Sequence, residues 1–303
     1  MKIKILQTQR LISAGFLATW ATASLGCTVA QSSASTYSRF ADWCENQESL
    51  TPEARHTVEV LLGTAQTQDC DRAEEVLTEI TRLDLNRLEI SEVAPIETLT
   101  HLDWLFLSGN QISDITPLSH LNKLTWLYLD HNQISDITPI SELTQLTELD
   151  LGSNQISDIA PLSALTQLTR LSVQVNQISD IGPLSTLTSL DWLDLSFNQI
   201  ETIEALANLA RLTNLEIGEN RITHVEALAE LSDLFTLGLN TNQVVDVTPL
   251  SNLTELAVLA LAQNQITDVS VLSNLTELSF LFLEENPIGD RTCPVQPESV
   301  CSF

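Results

Sequence analysis

The side chains of this chain that could act on a substrate are few, and their spacing argues against catalysis. Its five histidines (His56, His101, His120, His131, His224) are scattered, and no Gly-x-Ser-x-Gly, His-Glu-x-x-His or phosphate-loop spacing occurs. His131, beside Asp130 and Tyr128, has the composition of an acid–base trio. The same trio on a contact surface needs no chemistry. Forty carboxylates offer oxygen ligands. A calcium loop, however, needs a dense alternation of Asp, Asn and Gly supplying six or more oxygens. Here Asp114, Asp136, Asp158, Asp180, Asp246 and Asp268 recur singly, in steps such as Ser113-Asp114-Ile115, and read as turn formers. No catalytic residue, cofactor or metal site is assigned.

What the sequence does repeat is a frame. Asparagines stand in 22-residue register at Asn110, Asn132, Asn154, Asn176, Asn198, Asn220, Asn242, Asn264 and Asn286. A fixed period of this length marks a stacked repeat, each unit too small to bury its apolar face alone. Nine aligned amides could be taken for a ligand ladder. The structural reading is stronger: an amide at the turn after each strand carries both donors and an acceptor for backbone groups that leave the sheet.

The elements that position these residues can be read from one copy. Leu149 and Leu151 alternate with Glu148, Asp150 and Gly152, the period-two pattern of a half-buried strand. Ile156, Ile159, Leu162 and Leu165 continue inward along a return path that Pro161 keeps from becoming a long helix, so short 3₁₀ turns or extended segments are expected there. Proline recurs at that place as Pro95, Pro117, Pro139, Pro161, Pro183 and Pro249. Ala205, Ala227 and Val271 replace it in the other copies, which are expected to be more helical.

The frame Leu-x-x-Leu-x-Leu-x-x-Asn-x-Ile-x-x-Ile-x-Pro-Leu resembles a leucine-rich repeat, and its 22-residue form is similar to the internalin type. Nine copies, with a degenerate entry copy at Leu83 and Leu85 where Leu88 takes the asparagine position, cover about two thirds of the chain. The resemblance implies a curved α/β solenoid, a right-handed superhelix with a parallel sheet on its concave face, and a protein-binding role. Similar motifs occur in bacterial surface proteins and in regulatory subunits that wrap a phosphatase. A regulatory or inhibitory subunit around a separate enzyme is therefore the alternative reading.

On such a frame the outward strand positions are free to vary, so their pattern carries the functional signal. Trp104 and Phe106 fall beside Trp126 and Tyr128 on adjacent strands about 4.8 Å apart, and aromatic groups of this kind anchor interfaces. The competing reading is that a helical lid folds over them. Glu148, Asp150, Trp192 and Asp194 make the centre acidic, and Phe235, Phe280 and Phe282 restore apolar character further along. An acidic row either grips a basic partner or is simply a solvated face. The partner-binding set is thus Trp104, Phe106, Trp126, Tyr128, Glu148, Asp150, Trp192, Asp194, Phe280 and Phe282.

The ends need covers, because an open stack exposes leucines and an unpaired strand edge. Thr51 with Pro52 starts one helix, with Val58, Val60, Leu61 and Leu62 as its apolar stripe. Asp69 or Asp71 starts another that buries Ala73, Val76, Leu77 and Ile80. Cys44 pairs by position with Cys70, and Cys293 with Cys301, one bridge at each end. The resulting divisions are a signal peptide at 1–30, leader and helical cap at 31–79, repeats at 80–286 and a C-terminal cap at 287–303.

Residues 1–30 lack any carboxylate, and Lys2, Lys4 and Arg10 precede an apolar stretch from Leu11 to Trp20, which reads as an export signal. An uncut anchor is the alternative. Cleavage after Ala30 removes Cys27, whereas cleavage after Ala23 leaves it an unpaired thiol; Ser24-Leu25-Gly26-Cys27 also resembles a lipoprotein signal, with its leucine one position out of place. Without that segment, ten basic face forty acidic residues, a charge of −30, which repels nucleic acids and anionic lipid surfaces. An exported monomer with a protein or peptide ligand, no nucleic acid and no membrane span in the mature chain is expected. Asn252 and Asn274 fit the N-glycosylation pattern, but they recur at one repeat position and carry no weight in a bacterial source.

Overall fold

A computed structural model describes residues 37–303; the expected export signal and Cys27 lie outside the described residues. Three helices come first: α1 (Phe40–Glu45), α2 (Pro52–Ala65) and α3 (Cys70–Glu79). Ten three-residue strands follow: β1 (Arg82–Asp84), β2 (Trp104–Phe106), β3 (Trp126–Tyr128), β4 (Glu148–Asp150), β5 (Arg170–Ser172), β6 (Trp192–Asp194), β7 (Asn214–Glu216), β8 (Thr236–Gly238), β9 (Val258–Ala260) and β10 (Phe280–Phe282). A final short strand, β11 (Cys301–Ser302), closes the row.

All eleven strands form one sheet in sequence order, and every pairing is parallel. The register follows the repeat: Trp104 lies opposite Trp126, Leu105 opposite Leu127 and Phe106 opposite Tyr128. The central leucine of each strand, from Leu83 to Leu281, points inward and is essentially inaccessible. Leucines and isoleucines from the return path meet them there in one continuous core. At ~25 cal/mol per Å² of apolar area removed from water, this column is the dominant favourable term.

The return paths are 3₁₀ turns, as the sequence leads one to expect, and proline stands in the first turn of six of them. The expected extra helicity where proline is missing is not found. Glu204–Leu206 and Glu226–Leu228 are shorter turns of three residues, and Ser270–Asn274, which holds Val271, is an ordinary five-residue one. Serine rather than proline tracks the longer turn. The hydroxyls of Ser119, Ser141, Ser163 and Ser185 each donate to the carbonyl three residues back, at 2.7–2.8 Å. Ala207 and Ala229 stand at that place in these two short turns, and Glu97 in a third, Ala94–Ile96, which stays at three residues although it holds Pro95.

Each repeat leaves its strand through one residue in the left-handed region. Arg87, Gly109, His131, Ser153, Val175, Phe197, Glu219, Thr241, Gln263 and Glu285 have φ between 54° and 70°. The asparagine that follows holds this corner. Asn154 Nδ2 donates to the carbonyls of Leu129 (3.0 Å), Leu151 (3.0 Å) and Gly152 (3.2 Å), and its Oδ1 accepts from Ile134 N (3.0 Å). The other eight make the same pair of long- and short-range bonds, for example Asn286 to Leu261 and Leu283. Leu88 has no amide to offer and is 38% exposed, its N–H taken instead by Asn110 Oδ1.

At the start, Thr51 Oγ1 accepts from Ala54 N, and Asp69, not Asp71, caps α3 by accepting from Arg72 N. Val58, Leu61, Leu62, Ala73 and Leu77 are buried, while Val60, Val76 and Ile80 are only partly so. The helices are tied to the loop side of the first repeats: Thr57 donates to Glu92 O (2.6 Å), and His56 Nε2 lies 2.7 Å from Leu88 O. Disulfides join Cys44 to Cys70 and Cys293 to Cys301. No described helix is long and apolar enough to cross a membrane.

Candidate functional site

With leucines turned inward, residues i−1 and i+1 of each strand stand on the outer face in two columns. One runs Arg82, Trp104, Trp126, Glu148, Arg170, Trp192; the other runs Asp84, Phe106, Tyr128, Asp150, Ser172, Asp194. The register brings the aromatic set together. Trp104 and Trp126 stack with centroids 4.6 Å apart and planes 13° from parallel, and Phe106 meets Tyr128 edge-on at 5.1 Å. Both Trp rings and Tyr128 stay partly open to solvent.

Phe106 differs, since it is only 8% exposed. Its cover is Arg82, whose guanidinium carbon sits 4.9 Å from the ring centroid, together with Tyr128. The sequence shows the aromatic but gives no hint that a cation one strand away closes over it. The rings are thus packed by each other and by Arg82, while helix α2 hydrogen-bonds to the loop residues Leu88 and Glu92.

Next to the aromatics the face turns acidic and more enclosed. Tyr128 Oη donates to Glu148 Oε2 (2.8 Å), Arg170 Nε lies 4.0 Å from the same oxygen, and the Arg170 guanidinium covers the Trp192 ring at 4.6 Å. Asp150 Oδ1 accepts from Gly152 N, and Asp194 Oδ1 from Ser196 N, each at 2.9 Å. Burial, and then repulsion from Asp130 and Asp194, push the Asp150 carboxyl up against the pull of Gly152 N–H and the Ser172 hydroxyl; burial and Asp194 do the same to Glu216. Asp194 is only 9% exposed. No ion pair reaches Asp150, Asp194 or Glu216 among the described residues.

The other candidates are placed apart. Phe280 is 55% exposed and Phe282 half-buried, their rings 6.1 Å apart on β10, four strands from Trp192. The trio around His131 is not assembled: Tyr128 bonds Glu148, Asp130 accepts from the Ser108 hydroxyl, and His131 points from the corner into solvent. The recurrent aspartates close their own turns, Asp136 Oδ1 accepting from Thr138 N at 2.8 Å and Asp158 Oδ1 from Ala160 N at 2.8 Å. No cluster of three or more His, Cys, Asp or Glu able to hold a metal occurs among the described residues. The exposed Val175 and Phe197, both in the left-handed corner, were not singled out from sequence, because nothing there marks that column except its one glycine, Gly109.

Models of leucine-rich repeats match residues 78–134, 122–164 (as two copies) and 173–276. Among solved structures, an internalin (inlF) from Listeria monocytogenes is 31% identical over 85% of this chain and 97% of its own, with a TM-score of 0.55. The chain belongs to the leucine-rich repeat family, internalin-like type. An internalin C2 (inlC2) from the same organism is 32% identical, covering 73% of this repeat protein and 88% of its own chain at a TM-score of 0.55. An LRR protein of Leptospira interrogans, 21% identical over 76% and 73% of the two chains at 0.56, shares the fold. No curated protein sequence matches. Leucine-rich repeat domains generally mediate protein–protein interaction, and nothing in the described strand face departs from that use.

Proposed function

We propose that this chain is an exported, non-catalytic binding module that recognises a protein or peptide partner on its strand face, the concave side in a horseshoe of this kind. The observation that carries the reading is the stacked Trp104–Trp126 pair beside Tyr128. Large rings held rigidly on adjacent strands and left partly open are what interface anchors consist of. Phe106 backs Tyr128 from below, Glu148, Asp150, Trp192 and Asp194 extend the surface with negative charge, and Phe280 and Phe282 offer a second apolar contact.

Two disulfides support an oxidising compartment, periplasmic, cell-surface or extracellular, over the alternative of a cytosolic subunit wrapped around an enzyme. The test is capture of partners from the source envelope and medium with wild type and with Trp104→Ala/Trp126→Ala. A partner retained by wild type and lost by the folded variant supports the reading. Equal recovery by both moves the site away from these rings.

A further inference from the structure

On the strand face a small, half-open cavity of about 90 Å³ lies between β3 and β6, and its chemistry is specific. Tyr128 and Trp192 form aromatic walls, Glu148, Asp150 and Ser172 line the space with oxygens, and Arg170 closes one side. Arg170 is already committed to Glu148 and to the Trp192 ring. Asp150 has no cationic partner.

Three acceptors remain for an occupant. Glu148 Oε2 accepts from Tyr128 and Asp150 Oδ1 from Gly152 N, so the second oxygen of each carboxylate is the more open acceptor. The third is the Ser172 hydroxyl, 4% exposed, which leans on the Asp150 carboxyl and helps hold its charge but reaches no partner at full hydrogen-bond geometry, so its oxygen is left to accept. A buried hydroxyl whose oxygen accepts from nothing is a sign, separate from the carboxylates, that a donor belongs here.

We propose that Tyr128, Glu148, Asp150, Ser172 and Trp192 form a subsite for one lysine side chain of the partner. The inference rests on the strand face being the binding surface. An ammonium carries three donors around a point charge, matching three separate single acceptors. A guanidinium is a rigid planar fork that favours two open oxygens of one carboxylate, and here one oxygen of each is turned toward a protein donor. The aromatic walls suit the methylene stem and add a cation–π attraction. The volume admits the ammonium and the end of its stem.

The experiment titrates isotopically labelled protein with Nα-acetyl-lysine methylamide, following the amide resonances of Gly152 and Ser172. Saturable shifts confined to β3–β6 are expected, absent with the norleucine counterpart and weakened at least about tenfold, near 1.4 kcal/mol, by Asp150→Asn. An arginine counterpart binds more weakly. Asp150→Asn keeps an acceptor for Gly152 N, and its thermal midpoint reports that it has folded. Flat titrations, equal shifts with norleucine, equal or tighter binding of the arginine counterpart, or an unchanged Asp150→Asn variant would each overturn the subsite. Because the probe needs no natural partner, such a failure leaves the strand-face reading to be decided by partner capture. A partner lost with Trp104→Ala/Trp126→Ala but kept by Asp150→Asn shows the face standing without the subsite.

Discussion

Trp104 and Trp126 lie ring on ring, 4.6 Å between centroids, because a 22-residue period places them directly opposite on neighbouring parallel strands. A stacked pair of this kind adds about 0.5–1.5 kcal/mol beyond the area it buries. A double-mutant cycle with Trp104→Leu and Trp126→Leu, followed by urea denaturation, is expected to give a coupling in that range. Additive single losses would show that the rings merely share space, and would weaken the case for a preformed anchor.

The asparagine corners predict a larger and purely structural effect. Asn154 satisfies the carbonyls of Leu129, Leu151 and Gly152 and the N–H of Ile134, and a methyl side chain satisfies none of them. Asn154→Ala is expected to cost about 1–3 kcal/mol. Asn154→Asp should also destabilise, since a carboxylate accepts but cannot donate to three carbonyls. An unchanged urea midpoint in both variants would remove the amide from the account of the corner.

How far the sequence reveals this molecule depends on whether a feature is periodic. Leu149, Ile156 and Asn154 recur at fixed offsets, so sheet, return path and corner follow from one copy. The Trp104–Trp126 and Phe106–Tyr128 neighbours follow too, because register is set by the period. What escapes is contact made by single side chains across strands. Arg82 covering Phe106, Arg170 lying on Trp192 and Tyr128 reaching Glu148 depend on rotamers that no period dictates. The short turns at Ala205 and Ala227 have the same origin, since a turn's length follows a serine hydroxyl bonded to its own backbone, as at Ser163, more than the proline that marks the repeat.

The terminal disulfides should differ in worth. Cys44–Cys70 spans 26 residues and Cys293–Cys301 spans 8. In the chain-entropy picture these closures are worth roughly 3.5 and 2.5 kcal/mol. Cys44→Ser/Cys70→Ser is therefore expected to lower the denaturation midpoint more than Cys293→Ser/Cys301→Ser. The reverse order would mean that the C-terminal bridge, by holding β11 against β10, protects the sheet edge beyond its loop length.

Acid titration should expose the acidic centre as a place where charge works against folding. Burial, reinforced by neighbouring carboxylates, raises the pKa of Asp150 and Glu216, so the folded chain holds these protons more tightly than the unfolded one. Their contribution is complete below the ordinary carboxylate range and is lost as pH rises through the raised values. Asp136 and Asp246 run the other way: hydrogen bonds from Thr138 and Thr248 hold them below the usual range, giving stability present above it and lost on acidification. Asp150→Asn and Glu216→Gln are thus expected to raise the thermal midpoint at neutral pH and to have no such effect below the carboxylate range. A drop at neutral pH would show that these charges stabilise the fold.

Tyr128 gives the sharpest reading of how enclosed the acidic centre is. Its phenol is pushed up to about 12, first by burial, then by its hydrogen bond to Glu148 and the charges of Glu148 and Asp150, against a smaller opposing pull from Arg170. The chain has only two tyrosines. In a Tyr37→Phe variant, phenolate absorbance therefore reports Tyr128 alone, and its midpoint is expected about 12. Glu148→Gln should bring it down but not back to the ordinary value of about 10, because burial persists when the charge is removed. The neutral phenol is the form the folded state favours, so its stabilising contribution is full below the unfolded value and disappears as pH rises toward 12. A midpoint at the ordinary value would show a solvated ring with no bond to Glu148, and one aromatic wall of the β3–β6 cavity would be gone.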